Sequence, residues 1–145
     1  MKLNRSGFTL LELIIVIFLI TLMTGLSAAF FANTLPSGKF SATAREIAAS
    51  IRQAKHLARF NGEKQVITID MDSKSYGIER LGEKNLPSGI NIKVIDPLAG
   101  DITSGKYHMT FHSAGSTEGG TIFLWNSSKT AQINIDPVAG AVIIK

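Results

Sequence analysis

The chain has 145 residues, no cysteine and a formal charge of +4. It can build neither a disulfide frame nor a thiolate metal site, and its length suits one domain with a segment of another kind attached. Setting aside Lys2 and Arg5 leaves 13 basic residues against 11 acidic and no basic tract, a balance that lends no support to nucleic-acid binding.

Met1 to Gly7 carries Lys2, Arg5 and the free amine, with no acid. Phe8 to Phe31 follows, with Glu12 as its single charge. As a helix, these residues extend roughly 36 Å at about 1.5 Å per residue, enough to cross a hydrocarbon core of about 30 Å with some tilt. The basic residues precede the apolar run, so the positive-inside bias keeps the N-terminus in the cytoplasm and exports the rest.

A cleaved secretory signal is the plainer alternative, with small residues at Leu26-Ser27-Ala28-Ala29 before a cut. Two features favour retention. The apolar run continues past that point into Phe30 and Phe31, and an acid inside the apolar core serves no purpose in a signal peptide.

A charge at the centre of a membrane helix costs about 2.5–3.5 kcal/mol on insertion scales. Glu12 lies near the cytoplasmic end, where it is either a tolerated interfacial acid or an acid with a cationic partner on another helix. A chain cut just before Phe8 supplies such a cation as its new α-amine, and Gly7 is small enough for a protease pocket.

The stretch Arg5-Ser6-Gly7-Phe8-Thr9-Leu10-Leu11-Glu12-Leu13-Ile14 resembles the class III signal of type IV pilins and type II secretion pseudopilins. The resemblance implies a basic leader, residues 1–7, that ends in glycine and is removed by a prepilin peptidase. Gly7 and Phe8 then flank the cut, Phe8 is N-methylated, and Glu12 is the acid used in assembly. Glycine, aromatic, acid and apolar run all occur in register, so the motif is specific.

Leu35-Pro36-Ser37-Gly38 is expected to interrupt the helix, because proline removes one backbone bond and glycine loosens the turn. Helical periodicity resumes with Ile47, Ile51, Ala54 and Ala58 on one face, and with Arg45, Arg52, Lys55 and Arg59 mostly away from it. Thr43-Ala44-Arg45-Glu46 has capping-box spacing and marks a fresh helical start. Asn61-Gly62 is the stop. The arginines read as a solvated side rather than a phosphate-binding face, since an amphipathic helix needs one in any case.

From Gln65 the period changes to two, with Ile67, Ile69 and Met71 on one face. Further strands are predicted at Ser75–Arg80, Ile90–Ile95, Tyr107–His112, Thr121–Trp125, Ala131–Ile135 and Ala141–Ile144. Turn chemistry separates them, so antiparallel pairing is expected. The apolar face of such a sheet needs a cover, which the Ile47/Ile51/Ala54 stripe can provide. No repeat of solenoid type is visible.

Phe111-His112-Ser113-Ala114-Gly115-Ser116-Thr117-Glu118-Gly119-Gly120-Thr121-Ile122-Phe123-Leu124 is similar to the C-terminal pattern of H-type minor pseudopilins and related fimbrial-type minor pilins. Gly140 in the closing hairpin, the helix containing Ala54 to Arg59, and Leu86-Pro87-Ser88-Gly89 fit the same pattern.

Chemical sites are not legible. His108 and His112 are four apart on a strand, which separates them by about 13 Å, too far for one metal. Asp70-Met71-Asp72-Ser73-Lys74 starts like a calcium loop but places a lysine where an oxygen ligand is needed, so it reads as a hairpin turn. The glycines from Gly115 to Gly120 are followed by no lysine in phosphate-binding spacing. Trp125 reads as core or hairpin packing, or as a partner surface. No catalytic residue, metal ligand or cofactor site is expected.

The expectation is therefore an α+β, pilin-like chain in which a long N-terminal helix packs on an antiparallel β-sheet domain. Its regions are a leader at 1–7, a transmembrane and filament-core helix at 8–31, an amphipathic helix at 32–62 and a periplasmic β domain at 63–145. The resemblance implies a minor pseudopilin of a type II secretion system, or alternatively a type IV minor pilin acting in pilus assembly or DNA uptake. The partners it implies are prepilin peptidase, other major and minor pseudopilins, secreted cargo or secretin, and inner-membrane lipid before assembly. Nucleic acid is not expected, for want of a basic tail.

Overall fold

The computed structural model describes residues 8–145, and side chains from 8–27 and 38–145. Residues up to Ser37 form one unit and Gly38–Lys145 form a second, compact one. Helix α1 (Leu10–Asn61) supplies the first unit and the opening element of the second.

The expected interruption at Leu35-Pro36-Ser37-Gly38 does not occur: α1 is continuous from Leu10 to Asn61. Proline removes a single amide donor, and the hydrogen-bond ladder on either side can carry a helix past it. The fresh start at Thr43 is corrected for the same reason. Thr43 lies inside α1, buried, and its hydroxyl donates to the Lys39 carbonyl at 2.9 Å instead of capping a new turn. The helix ends as expected, on Gly62 with φ +68°, the left-handed conformation that closes a helix most readily with glycine.

In the second unit α1 buries Phe40, Ala44, Ile47, Ala48, Ile51, Ala54 and Ala58. Their spacing of three and four residues draws one stripe along the helix. The alanines keep the stripe shallow, so strands approach closely, while Ile47 and Ile51 fill volume with no exposed surface. Each such isoleucine contributes roughly 1.5–3 kcal/mol on burial.

Nine strands follow: β1 (Gln65–Asp70), β2 (Ser75–Ile78), β3 (Gly82–Asn85), β4 (Asn91–Asp96), β5 (Gly100–Ile102), β6 (Lys106–Phe111), β7 (Gly120–Trp125), β8 (Thr130–Ile135) and β9 (Val142–Ile144). All pairs are antiparallel, as the turn spacing predicts. They form two sheets rather than one, a four-stranded sheet in the order β3-β2-β1-β6 and a five-stranded sheet in the order β5-β4-β7-β8-β9. Ile67, Ile69, Met109 and Phe111 from the first sheet meet Val94, Ile122, Leu124 and Ile133 from the second in one core with the α1 stripe. Tyr107 on β6 donates its hydroxyl to Asp96 at the end of β4 at 2.7 Å, tying the two sheets together.

The sheet edges are individually protected, as exposed strand edges must be to avoid pairing with other chains. β3 carries Glu83 and Lys84, and β5 is three residues long with Asp101 on it. On β6, the Thr110 amide is taken by the Glu118 carboxylate at 3.1 Å. Beside β9, Arg52 donates to the Val142 carbonyl at 3.0 Å and Lys55 to the Ala139 carbonyl.

One turn is used twice. Ile95-Asp96-Pro97-Leu98-Ala99-Gly100 and Ile135-Asp136-Pro137-Val138-Ala139-Gly140 open the β4–β5 and β8–β9 hairpins. In each, the aspartate carboxylate accepts the amides two and three residues on, at 2.8 Å and 2.8 Å in the first and 2.9 Å and 2.6 Å in the second. In the second turn glycine is required on two counts. Gly140 has φ +56°, and a Cβ there would stand 2.6 Å from the Gly115 carbonyl oxygen.

Candidate assembly site

The first turn of α1 is built by Thr9. Its hydroxyl accepts the Glu12 amide at 3.2 Å and reaches the Glu12 carboxylate at 3.5 Å, and its carbonyl accepts the Leu13 amide at 3.2 Å. Thr9 thus caps the helix through its hydroxyl, in a Thr-x-x-Glu stretch that has capping-box spacing with Glu12 at the third helical position. The spacing Thr-x-x-Glu was available in the sequence and signalled this cap, yet Thr9 was not among the expected site residues. The partial positive charge of the helix N-terminus favours an acid at this place.

Behind the cap the helix has no polar face. Leu10–Ser27 has a mean hydropathy of 2.4 and none of it is buried. Phe8, Leu10, Leu11 and Leu13 around Glu12 are exposed, Phe8 to 77%. A helix apolar on all sides needs lipid or neighbouring helices around it.

The other polar side chains of this stretch satisfy themselves. Thr21 donates to the Ile17 and Phe18 carbonyls, Thr24 to Ile20 and Ser27 to Met23, at 2.6–2.9 Å. Hydroxyls that bond back to their own helix need no outside partner in an apolar medium. Glu12 differs. Among the described residues no cation pairs with it, and its only polar contact is with Thr9. An ionised carboxylate accepts about four hydrogen bonds, so the site has capacity for a cation brought by another chain. Gly7, the expected residue before the cut, lies outside the described residues, as do Lys2 and Arg5.

The second unit offers no comparable chemistry. Its open depressions include one of about 470 Å³ at Glu63, Lys64, Glu79 and Arg80, and one of about 440 Å³ at Phe40, Arg45, Lys129 and Ile144. Among the described residues no three of His, Asp and Glu cluster as a metal site. His108 and His112 are exposed, and His108 Nδ1 pairs with the Thr68 hydroxyl at 3.0 Å. The Asp70 carboxylate caps the β1–β2 turn through the Asp72 and Ser73 amides at 3.0 and 2.9 Å. These bonds, the Ser73 amide first, hold Asp70 below the usual carboxylate range. Asp96 is lowered in the same way, by the Ala99 amide, the Tyr107 hydroxyl and the Leu98 amide. The basic helix residues lie on the solvent side as expected, with Arg45, Arg52 and Arg59 exposed and Lys55 half-buried, and from there Arg52 and Lys55 also donate to carbonyls of the C-terminal hairpin.

Residues 2–28 match the family model of the prokaryotic N-terminal methylation motif. No curated protein matches the chain. Among solved structures, the minor pseudopilin EpsH of the type 2 secretion system of Vibrio cholerae is similar with a TM-score of 0.62 at 9% identity, over 73% of this chain and 94% of that one. The type IV minor pilin FimU of Pseudomonas aeruginosa is similar with a TM-score of 0.61 at 15% identity, over 76% of this chain and 90% of that one. The chain thus carries the N-terminal methylation motif and has a pilin-like fold of the kind found in minor pseudopilins and minor pilins.

Proposed function

We propose that this chain is a minor pseudopilin of a type II secretion system, made as a membrane-anchored precursor and assembled into a periplasmic filament that supports protein export. Prepilin peptidase removes residues 1–7 by cutting between Gly7 and Phe8, and the new amine of Phe8 is methylated. The anchor leaves residues 38–145 on the periplasmic side of the inner membrane. During assembly the apolar stretch from Leu10 exchanges lipid for neighbouring helices. Glu12 then meets the N-terminal amine of an adjacent subunit. Each group offsets a charge that an apolar surrounding would otherwise leave unpaired, and the pair fixes axial register.

One observation carries this reading. In a span where every described hydroxyl is bonded to its own helix, Glu12 alone keeps a carboxylate open to another chain. The match of residues 2–28 to the methylation motif supports it. The similarity to FimU supports a second reading, a type IV minor pilin that uses the same N-terminus in a pilus.

The test is co-expression with a prepilin peptidase, followed by intact-mass measurement and filament isolation. A chain that begins at methylated Phe8 and enters the filament is expected. A chain that keeps residues 1–7, or one cut after Ala29, overturns the proposal. Deleting the host's secretion components or its pilus components separates the two readings, because only one deletion abolishes incorporation.

A further inference from the structure

In the five-stranded sheet the inward positions build the core, and the outward positions should by alternation be polar. They are not uniformly so. Phe123 and Trp125 on β7 project outward, only partly buried, with ring centroids 6.0 Å apart and planes tilted by 48°. Ile95 on β4 and Ile143 on β9 share this face. They pair in register through Thr121 and Asn134, whose side chains bond each other at 2.9 Å. Lys93, Gln132 and Thr130 surround the rings. An aromatic centre with a polar rim is the anatomy of a protein interface.

The geometry argues against flat ligands. Lys93 Nζ stands 5.5 Å from the Phe123 centroid and covers that ring, and the tilt denies a sugar or base a continuous stacking surface. Lys93 is itself paired with Asp101 at 2.6 Å, so the face has little net charge to attract phosphates.

We propose that the outer face of the five-stranded sheet, centred on Phe123 and Trp125, docks the β domain of a neighbouring pilin-fold subunit. This rests on the filament role proposed above. Five strands about 4.8 Å apart and some five residues long give a face on the order of 400 Å², half of the roughly 800 Å² per partner that a free-standing complex buries. A face that small is adequate when the partner is tethered alongside. Bundling the apolar helices of two subunits brings the domains they carry together at high effective concentration.

The test uses the full chain in cells that assemble the filament. The sequence has no cysteine, so Gln132→Cys gives a single attachment point for a thiol-reactive benzophenone, and Glu83→Cys on β3 is the control. Illumination is expected to give an adduct with a pilin-fold subunit from position 132, absent in a Glu12→Ala background and weak from position 83. Thr130→Arg adds bulk and charge at an exposed position opposite Trp125 and is expected to lower incorporation roughly tenfold or more without shifting the unfolding temperature. Incorporation of the labelled chain with no adduct from position 132 overturns this inference alone, as does an adduct with a protein of another fold or normal incorporation of Thr130→Arg. Failure of the unmodified chain to enter any filament overturns the filament role and this inference together.

Discussion

The hydroxyl of Thr9 accepts the Glu12 amide at 3.2 Å and donates to the Glu12 carboxylate at 3.5 Å, so the acid of the apolar helix takes part in the helix start as well as in any intermolecular pair. The two roles make different demands. A cap is served by glutamate or glutamine, whereas an ion pair needs the charge.

Glu12→Gln therefore separates them. Glu12→Ala and Glu12→Gln are both expected to be processed and inserted yet to fail in assembly, measured by cross-linking to neighbouring subunits. Thr9→Ala is expected to assemble, with the helix start weakened by about 0.5–2 kcal/mol. Normal assembly of Glu12→Gln would show that capping, not charge, is what the filament requires.

Gly7→Leu is expected to block the cut. The bulk of leucine before the scissile bond is incompatible with a pocket that accepts glycine, so intact mass should show residues 1–7 retained. A chain beginning at Phe8 in this variant would count against peptidase recognition at Gly7.

Gly140→Ala should destabilise the second unit. The added methyl meets the Gly115 carbonyl oxygen at 2.6 Å on a backbone with φ +56°. A loss of about 1–3 kcal/mol is expected, read from urea unfolding. Gly38→Ala, where a Cβ meets nothing within 4 Å, is the matched control and should leave stability unchanged or slightly raised.

The Tyr107–Asp96 tie predicts instability at both ends of the pH scale. Asp96 titrates below its ordinary value of 3.8 in the folded state, so its contribution is present above that value and lost as pH falls through the lower folded value. Tyr107 is raised above its ordinary value of 10.0, first by burial and then by its bond to Asp96. The folded state holds that proton more tightly than the unfolded chain, so stability is full below about pH 10 and falls as pH rises above it. Tyr76, pushed up to about 12 by burial and then by Glu46, adds to the alkaline loss. Tyr107→Phe should flatten part of the alkaline limb and bring Asp96 back toward its ordinary value, as measured by thermal melts across pH and NMR titration of the carboxyl carbon.

Ile51→Ala removes a side chain with no exposed surface where α1 meets the core. A loss of about 2–5 kcal/mol is expected in unfolding experiments. Ala49→Ser on the exposed side should change stability by less than about 0.5 kcal/mol.

The parts of the fold legible in the sequence are those in which burial writes a period into side chains. Ile47, Ile51, Ala54 and Ala58 mark the helix face, and Ile67, Ile69 and Met71 mark a strand face; all are buried. β3 and β5 carry no such mark. Gly82-Glu83-Lys84-Asn85 and Gly100-Asp101-Ile102 are strands because their backbones pair with β2 and β4, and as edges they are polar or short. The division into two sheets was hidden because local period does not specify which strands pair. Capping-box spacing occurs at both Thr9–Glu12 and Thr43–Glu46, but only Thr9 precedes a helix start, while Thr43 is held in mid-helix by its bond to Lys39. Trp125 left core and partner surface both open to the sequence reading, because alternation fixes which residues share a face but not which face turns outward.

The bond from Arg52 to the Val142 carbonyl joins residues 90 positions apart and sets the last strand beside the first element of the domain. That has a consequence for timing. Contacts of such long sequence separation form late, because the intervening chain must be ordered first. α1 opens the domain and β9 lies beyond eight other strands, so the basic side of α1 has no hairpin carbonyls to bond until the strands between them are in place. Docking of the β8–β9 hairpin on α1 is then the step that closes the domain, and loss of that one bond would open it from its last strand first.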